Sequence, residues 1–499
     1  MNSVPEPVST VIPMRRLLLV LVPAMLLIPI AADMVSLVLP LIATQFTAST
    51  AEVAWVVTGF LLVCSIGIPV YGRIADRFSL RQLFTVALTV FAIGSLICAL
   101  APSLLTLVLG RIVMGAGGAA IPVLAIVAAA RLLPSDKTAV GVGFIGAAAG
   151  VGTAAGPVVG GVLGQLLGWP ALFWLMTLTA AALIPATRRV IIDDAPDDRR
   201  PFDLLGGLLL GLGAGLLLFG VTRAEAAGFG SVYSSGAMLA GSALAALFIW
   251  RTRAAAHPFV PPSLFTNRGY VAAVVVIFLA MVANLATLVL VPILVLDVNG
   301  LSPGQGSLVM IPGGVALAVL SPLAGRVGAR GANEGTVTLA GLTAIALSML
   351  LLSTVAVGAS TVLAGLAVLV LGAGFAFVVT LATSTVSRVL PPEQVGIGVG
   401  IFQGAQFLGA GAGPALFGAV LSARQAGGQD AVNPLYTNVA PAYSDTFLAL
   451  TLVVLLAMVA ALRLRKARAT HRSRISTRLD HDRHATARDD NRGRRLRGT

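Results

Sequence analysis

The sequence predicts an all-α integral membrane protein with 6+2+6 transmembrane helices, and three observations support this fold class. The chain of 499 residues is 57% hydrophobic and only 11% charged, which is far from the composition of a soluble domain. Its apolar residues fall into runs of about 20, the length at which a helix crosses a bilayer. Several segments also recur about 250 residues further along the chain, which indicates a duplicated fold.

Fourteen apolar runs are expected to span the membrane. They are residues 17–41, 53–72, 83–101, 104–130, 139–166, 169–187, 204–222, 235–251, 269–294, 304–325, 335–357, 361–387, 395–422 and 444–464. The predicted organisation is an N-terminal segment (1–16), a six-helix bundle (17–187), a linker with two inserted helices (188–268), a second six-helix bundle (269–464) and a disordered basic tail (465–499).

The basic residues predict the orientation, because short cytoplasmic loops retain Lys and Arg. With the N-terminus inside, 30 of the 33 basic residues lie on the cytoplasmic side. Only Arg223 and Arg424 lie outside, and Arg111 lies within a span. Both termini are therefore predicted to be cytoplasmic, and the first span is expected to be retained rather than cleaved.

The net charge of +13 does not indicate nucleic-acid binding, because most of it lies in the tail. Residues 463–499 hold 13 Lys or Arg against four Asp and lack apolar periodicity. We expect this segment to contact anionic lipid head groups. Cys64 and Cys98 lie in apolar spans and are interpreted as core residues.

The two halves repeat each other but differ in charge. "GPVVGGVL" from Gly156 returns as "GPALFGAVL" from Gly413, and "ARLLP" ending at Pro134 returns as "SRVLP" ending at Pro391. "GRIADR" returns as "GRVGAR", and "ADMVSLVLP" as "ANLATLVLVP". The ionisable residues of the first copy are replaced in the second: Asp33 by Asn284, Arg111 by Val368 and Asp76 by Ala329. Ion coupling is therefore predicted in the N-terminal bundle, and the C-terminal bundle is expected to complete a cavity.

Asp33 and Arg111 are the acid and the base that fall well inside predicted spans. Counting from the span ends at 1.5 Å per residue places both about 10 to 12 Å below the outer surface. Buried charges of opposite sign at equal depth are expected to meet. A movement that separates them would release or capture a proton, which makes the pair a candidate for proton coupling. A permanent ion pair that sets helix packing is the alternative.

The loop after the second span is a candidate gate. "GRIADRFSLRQ" contains Gly72, which permits close backbone approach, and Arg73, Asp76, Arg77 and Arg81, which can form ion pairs that break between states. Membrane topology alone also favours an arginine-rich loop here.

The fifth span carries a glycine pattern, "GTAAGPVVGG". Gly152, Gly156 and Gly160 recur every fourth residue, followed by Gly161, and such a stripe favours tight helix contact. Pro157 interrupts helical hydrogen bonding and permits a bend. Generic small-residue packing is the alternative explanation of the stripe.

Uncharged polar residues in the second half are candidates for a substrate cavity. They are Asn284, Gln403 and Gln406, and interhelical hydrogen bonding is the alternative role. No metal cluster, phosphate loop or nucleophile constellation is present in the sequence. The chain is therefore not expected to be an enzyme, and no cofactor is expected.

These motifs resemble the major facilitator superfamily, specifically its fourteen-helix drug:proton antiporters. "GRIADRFSLRQ" is similar to the motif after helix two, "LVLGRIVMGAGGAA" to that of helix four with Arg111 in the arginine position, "GTAAGPVVGG" to that of helix five and "DMVSLVLP" to that of helix one. "FLLVCSIGIPVYGRIADR" and "GAGGAAIPVLAIVAAARLLP" are similar to the Gram-positive tetracycline exporters. The likeness covers nearly all of residues 15–465.

The resemblance implies a monomeric carrier in a bacterial cytoplasmic membrane that exchanges a small amphipathic drug for protons. Thr153 stands where the tetracycline exporters carry a glutamate, so tetracycline itself is not implied. A metabolite importer or facilitator of the same fold and a lipid-handling membrane protein are the competing interpretations.

Overall fold

The computed structural model describes most of the chain between residues 13 and 462. The described residues are 13–35, 38–48, 50–53, 55–192, 203–227, 230–255, 258–300, 303–330, 333–356, 360–391, 394–427, 430–436 and 440–462. The predictions for the basic tail, for residues 1–12 and for part of the linker lie outside this range.

Regular structure in the described residues is helical throughout, with fourteen long helices at the fourteen predicted positions. They are α1 Met14–Asp33, α2 Trp55–Ala75, α3 Leu80–Ala99, α4 Leu104–Leu132, α5 Ser135–Leu167, α6 Pro170–Val190, α7 Leu204–Ala227, α8 Val232–Ala254, α9 Arg268–Asp297, α10 Pro303–Ala329, α11 Glu334–Leu351, α12 Thr361–Val389, α13 Val395–Gly427 and α14 Pro441–Leu462. Among the described residues, twelve helices are long and apolar enough to cross a membrane. The other two are α5, of 33 residues, and α7, whose apolar part is Leu205–Val221. We call α1–α6 the first bundle and α9–α14 the second bundle.

The first predicted span is not one continuous helix. α1 ends at Asp33, and a second short helix covers Leu39–Phe46. Pro40 lies in the first turn of this short helix, where its missing N–H is tolerated, whereas it cannot continue a preceding helix. Asp33 is therefore at the C-terminal end of α1 rather than in the middle of a span.

Glycines on one helix of each bundle face the first helix of that bundle. On α5, a Cβ added at Gly160 would collide with the backbone of Met34. On α13, a Cβ added at Gly413 would collide with the backbone of Val282 on α9. The repeated glycine motif thus forms the same close helix contact in both halves, as small residues permit in a membrane.

The two bundles meet closely at one end of the helices, which we call the Arg-rich end and define by Arg73, Arg77 and Arg131. A Cβ added at Gly72, near the end of α2, would lie 2.6 Å from the carbonyl oxygen of Gly396 and 2.7 Å from the Cα atom of Gly400 on α13. The repeat of this contact joins α10 to α5. There, a Cβ at Gly325 would lie 2.8 Å from the Cα atom of Val140.

The inserted helix α7 packs against α8 and also against one helix of each bundle. Its glycine face meets α2, where a Cβ at Gly211 would lie 2.8 Å from the Ile66 carbonyl oxygen. On another face, Leu218 fills the space beside Gly411 of α13. Near the opposite end, Phe219 stacks on Trp55 with ring centroids 6.0 Å apart. α7 therefore lies across the boundary between the bundles.

Candidate functional site

The Arg111 side chain is completely buried in the first bundle, and backbone carbonyls hold it there. Its Nε atom donates to the Val56 carbonyl oxygen on α2 at 2.8 Å, and its Nη1 atom donates to the Ala31 carbonyl oxygen on α1 at 2.9 Å. The Phe60 ring lies under the guanidinium, 4.2 Å from Cζ to the ring centroid. Arg111 therefore joins three helices at one point.

Asp33 and Arg111, which the sequence predicts to meet, do not form an ion pair in this conformer. In the described chain, the ion pairs do not include these two residues, although Arg111 binds the carbonyl of a residue only two positions before Asp33. The last carbonyls of a helix have no N–H partner within it, and a cation is stabilised at that end. Ala31 offers such a carbonyl because α1 ends at Asp33.

One donor of Arg111 is not used. The Nη2 atom is buried and makes no hydrogen bond to a described residue. A buried guanidinium N–H without an acceptor is costly, since charged groups gain most from each hydrogen bond. The Nη2 atom of Arg111 is therefore a spare donor in this conformer.

Asp33 is partly buried and lies against the glycine face of α5. A Cβ added at Gly156 would lie 2.7 Å from the Asp33 Cβ atom. Gly152 lies in the same way against Pro29, and Gly164 against Val38. The predicted stripe is therefore the surface on which the end of α1 rests.

The rest of the predicted fifth-helix motif adds little to this contact. Gly161 is half-buried on α5. α5 remains helical from Ser135 to Leu167 through position 157, while the Pro157 side chain lies outside the described part of the molecule. The predicted bend stays a prediction. Thr153, the position of the family's glutamate, is exposed.

Asp76 connects the two bundles at the Arg-rich end. Its Oδ1 atom accepts a hydrogen bond from the Gly396 N–H at 2.6 Å, and its Oδ2 atom accepts one from the Ile397 N–H at 2.7 Å. Both donors belong to the first turn of α13, where helix N–H groups are unpaired and the dipole favours an anion. Arg131 of α4 forms an ion pair with Asp76 at 2.7 Å and also donates to the Ala75 carbonyl oxygen at 2.9 Å.

The environment of Asp76 makes it titratable near neutral pH. Burial raises the pKa of Asp76 to about 6, although Arg131, the two backbone N–H groups and Arg73 each lower it. Only 7% of the residue is exposed. The other loop arginines of the predicted gate, Arg77 and Arg81, are half-buried beside it.

Sequence reasoning missed Arg131 as part of this gate. The signal was available, since "ARLLP" and "SRVLP" keep an arginine in both halves. The second copy, Arg388, forms an ion pair with Glu334 at the start of α11, and Thr385 Oγ1 donates to the Glu334 carboxylate at 2.8 Å. This second pair lies within one bundle, whereas the Asp76 cluster joins both.

The predicted cavity residues lie in the second bundle. Asn284 on α9 and Gln403 on α13 are buried, with 6% and 4% exposure, and Gln406 is half-buried. None of the three amides hydrogen-bonds another described residue, so their role stays a prediction. Within the described residues, no group of three or more His, Cys, Asp or Glu side chains could hold a metal ion.

Comparisons with known proteins agree on one family. The family model described as Major Facilitator Superfamily matches residues 21–414. "Multidrug resistance protein Stp" of Mycobacterium tuberculosis is 30% identical over 398 residues, 79% of this chain and 73% of that protein. "Tetracenomycin C resistance and export protein" of Streptomyces glaucescens is 28% identical over 410 residues, 82% of this chain and 76% of that protein.

A solved structure shows the same fold. The human organic anion transporter MFSD10 (TETRAN) matches with a TM-score of 0.63 and 18% identity, over 90% of this chain and 99% of that chain. At this identity the likeness concerns the fold alone.

Proposed function

Because the chain belongs to the Major Facilitator Superfamily, we propose that it is a proton-coupled antiporter that exports amphipathic drugs by alternating access. The resistance proteins of Mycobacterium and Streptomyces support drug export. Such a carrier would act in the bacterial cytoplasmic membrane with both termini in the cytoplasm, since the positive-inside rule assigns the Arg-rich end to that side.

Under this assignment the structure is closed towards the cytoplasm. The Asp76 cluster and the glycine contacts of Gly72 and Gly325 join the bundles at that end. The two halves of α4 also differ in their contact with the second bundle. Its inner half, Ala120–Leu132, packs against α12 and α13 of the second bundle as well as against its own bundle, whereas its outer half, Leu104–Gly118, packs against α2 and α3 of its own bundle. In an alternating-access cycle, closure at this end accompanies release of substrate outside.

The single observation that supports proton coupling is the unused Nη2 donor of Arg111, a residue whose Nη1 atom binds the carbonyl oxygen of Ala31, two positions before Asp33. An ionised Asp33 carboxylate gains a charge-assisted hydrogen bond when α1 moves to bring the two side chains together, and a protonated carboxyl gains much less. Protonation of Asp33 from outside would favour substrate release, and deprotonation inside would reset the carrier. The proton thus selects between two arrangements of α1 and α4.

The test is an Asp33→Asn variant in everted vesicles with ethidium as the transported probe and an imposed pH gradient. We expect gradient-driven uptake to be lost at unchanged protein levels, because the amide cannot exchange a proton. Asp136→Asn is the matched control, since Asp136 is an exposed acid in the first turn of α5 and should be neutral. Undiminished gradient-driven uptake in Asp33→Asn would refute the proposal.

A further inference from the structure

Arg111 has no carboxylate partner in the described ion pairs, so other contacts hold its guanidinium in place. Its three hydrogen bonds go to neutral acceptors, the carbonyl oxygens of Val56 and Ala31 and the Met114 Sδ atom at 3.7 Å, and its guanidinium is completely buried. The face of the Phe60 ring also contacts the guanidinium, with Cζ 4.2 Å from the ring centroid. A cation over an aromatic face is attracted by the ring quadrupole, most strongly where water is excluded.

Resting on the function proposed above, we propose that Phe60 is a positioning residue for proton coupling: its ring holds Arg111 on α2 until the ionised Asp33 carboxylate replaces it as partner. Phe60 does not touch the proton or the substrate in this scheme. It sets how readily the guanidinium leaves its resting contacts, and thereby the balance between the two arrangements.

The glycines of the α4 motif provide the space for this ring. A Cβ added at Gly115 would lie 2.8 Å from the Phe60 carbonyl oxygen, and one added at Gly118 would lie 3.6 Å from its ring. Glycine at position 115 lets the α2 backbone approach α4 closely, whereas a Cβ at position 118 would be in ordinary contact with the ring. The α4 motif therefore contains both Arg111 and the glycines that pack against Phe60.

The other contact from α2 comes from the adjacent turn of the same helix. Val56, which accepts the Nε hydrogen bond, precedes Phe60 by four residues, so both project from one face of α2. α2 thus binds Arg111 through a carbonyl oxygen and a ring, and α1 binds it through Ala31. Weakening the ring contact loosens Arg111 from α2 while the α1 contact remains.

Fluorination of the ring separates this electrostatic role from packing. Trifluorophenylalanine at position 60 keeps nearly the same shape and weakens the negative ring face, and Phe60→Leu removes it. For Phe60→Leu we expect about 30-fold slower gradient-driven ethidium uptake, which corresponds to ~2 kcal/mol at 1.36 kcal/mol per tenfold. The fluorinated protein should fall between this variant and the unmodified protein.

Phe91→Leu is the matched control. Phe91 on α3 is equally buried, and its ring lies 3.5 Å from the Cβ position of Gly118. Within the described residues, however, the Arg111 guanidinium stacks on Phe60 and not on this ring. Phe91→Leu should slow uptake by less than about threefold, the scale of a modest repacking loss.

A double-mutant cycle on the purified protein makes the test independent of substrate. Fluorination at Phe60 should lower the thermal unfolding midpoint in the Arg111 background and leave it unchanged in an Arg111→Met background, because the interaction energy vanishes when one partner is removed. Equal shifts in both backgrounds would overturn the inference, as would equal uptake by Phe60→Leu and Phe91→Leu.

The transport readout distinguishes the two proposals. If Asp33→Asn loses gradient-driven uptake and fluorination leaves the rate unchanged, the role of Phe60 is wrong and the antiport proposal stands. If Asp33→Asn keeps full gradient-driven uptake, the antiport proposal itself fails.

Discussion

The carboxylate of Asp76 accepts a hydrogen bond of 2.6 Å from the backbone N–H of Gly396, a residue 320 positions further along the chain. This contact joins the end of α2 in the first bundle to the first turn of α13 in the second. A charge-assisted bond to a helix N-terminus is among the stronger hydrogen bonds in proteins. The Asp76 hydrogen bonds therefore contribute to closure of the Arg-rich end, together with the glycine contacts of Gly72 and Gly325.

Gly396→Ala is expected to prevent this closure. The added methyl group would collide with the Gly72 carbonyl oxygen and with the Asp76 carboxylate, so the bundles cannot meet there. Gradient-driven ethidium uptake into everted vesicles should therefore be lost.

Gly418→Ala on the same helix is the control, because a Cβ at Gly418 meets nothing within 4 Å. Normal transport by Gly396→Ala, or equal loss in both variants, would contradict the assignment of closure to this contact.

The closed arrangement should respond to pH at the Arg-rich end. Burial raises the pKa of Asp76 to about 6, from an ordinary value of 3.8. Burial of the carboxylate outweighs the Arg131 ion pair and the two N–H hydrogen bonds that favour its charged form. An arrangement that exposes Asp76 to water returns its pKa towards the ordinary value, so the closed arrangement binds the proton more tightly. Acidification from about pH 7 to about pH 5 is therefore expected to favour closure.

Spin labels at Gln82 and Thr266, both exposed near the Arg-rich ends of the two bundles, would report this shift as a shorter mean distance at low pH. Asp76→Asn should show the same distance at both pH values. A pH-dependent distance that persists in Asp76→Asn would assign the effect to another group.

Arg111→Lys should not behave as a conservative change. A lysine ammonium lacks the planar fork that reaches the Val56 and Ala31 carbonyl oxygens together, and it stacks less well on Phe60. We expect at least about a tenfold loss of gradient-driven ethidium uptake, the equivalent of losing one hydrogen bond from a charged group. Uptake by Arg111→Lys at the unmodified rate would show that the fork geometry is not required.

Gly160→Ala tests the contact between α5 and α1. The methyl group would collide with the Met34 backbone just beyond Asp33, and overpacking of this kind costs about 1 to 3 kcal/mol. A lower thermal unfolding midpoint in detergent is expected, together with reduced transport. Thr153→Ala is the control on the same helix, since Thr153 is exposed. An unchanged midpoint in Gly160→Ala would mean that α1 can move aside without loss.

Hydropathy and the repeat predicted the fold class and the helix positions, and the family match confirms the resemblance drawn from the motifs. These features are readable because lipid exposure imposes apolar composition on about 20 residues at a time. The break of α1 at Asp33 was not predicted, because the residues around Pro40 are as apolar as those before it. Hydropathy does not report where a helix ends inside the membrane.

The partners of the site residues were harder to predict than the residues themselves. Asp33, Arg111 and Asp76 are conspicuous because charge is rare in this chain. Their partners include the carbonyls of Ala31 and Val56 and the N–H of Gly396, and backbone groups are present at every residue. A sequence pattern cannot single out such partners, so the carbonyl partners of Arg111 in this conformer were not predicted, and the coupling of Asp33 to Arg111 stays a prediction.

The position of α7 has a mechanical consequence. It touches Ile66 of α2 through its glycine face and Gly411 of α13 through Leu218. If the two bundles move relative to each other, α7 can move with only one of them, and its contacts with the other bundle must break and re-form. We therefore expect the contacts of α7 to raise the barrier for movement between the bundles. The rate of a transport cycle should then depend in part on side chains that do not contact the substrate.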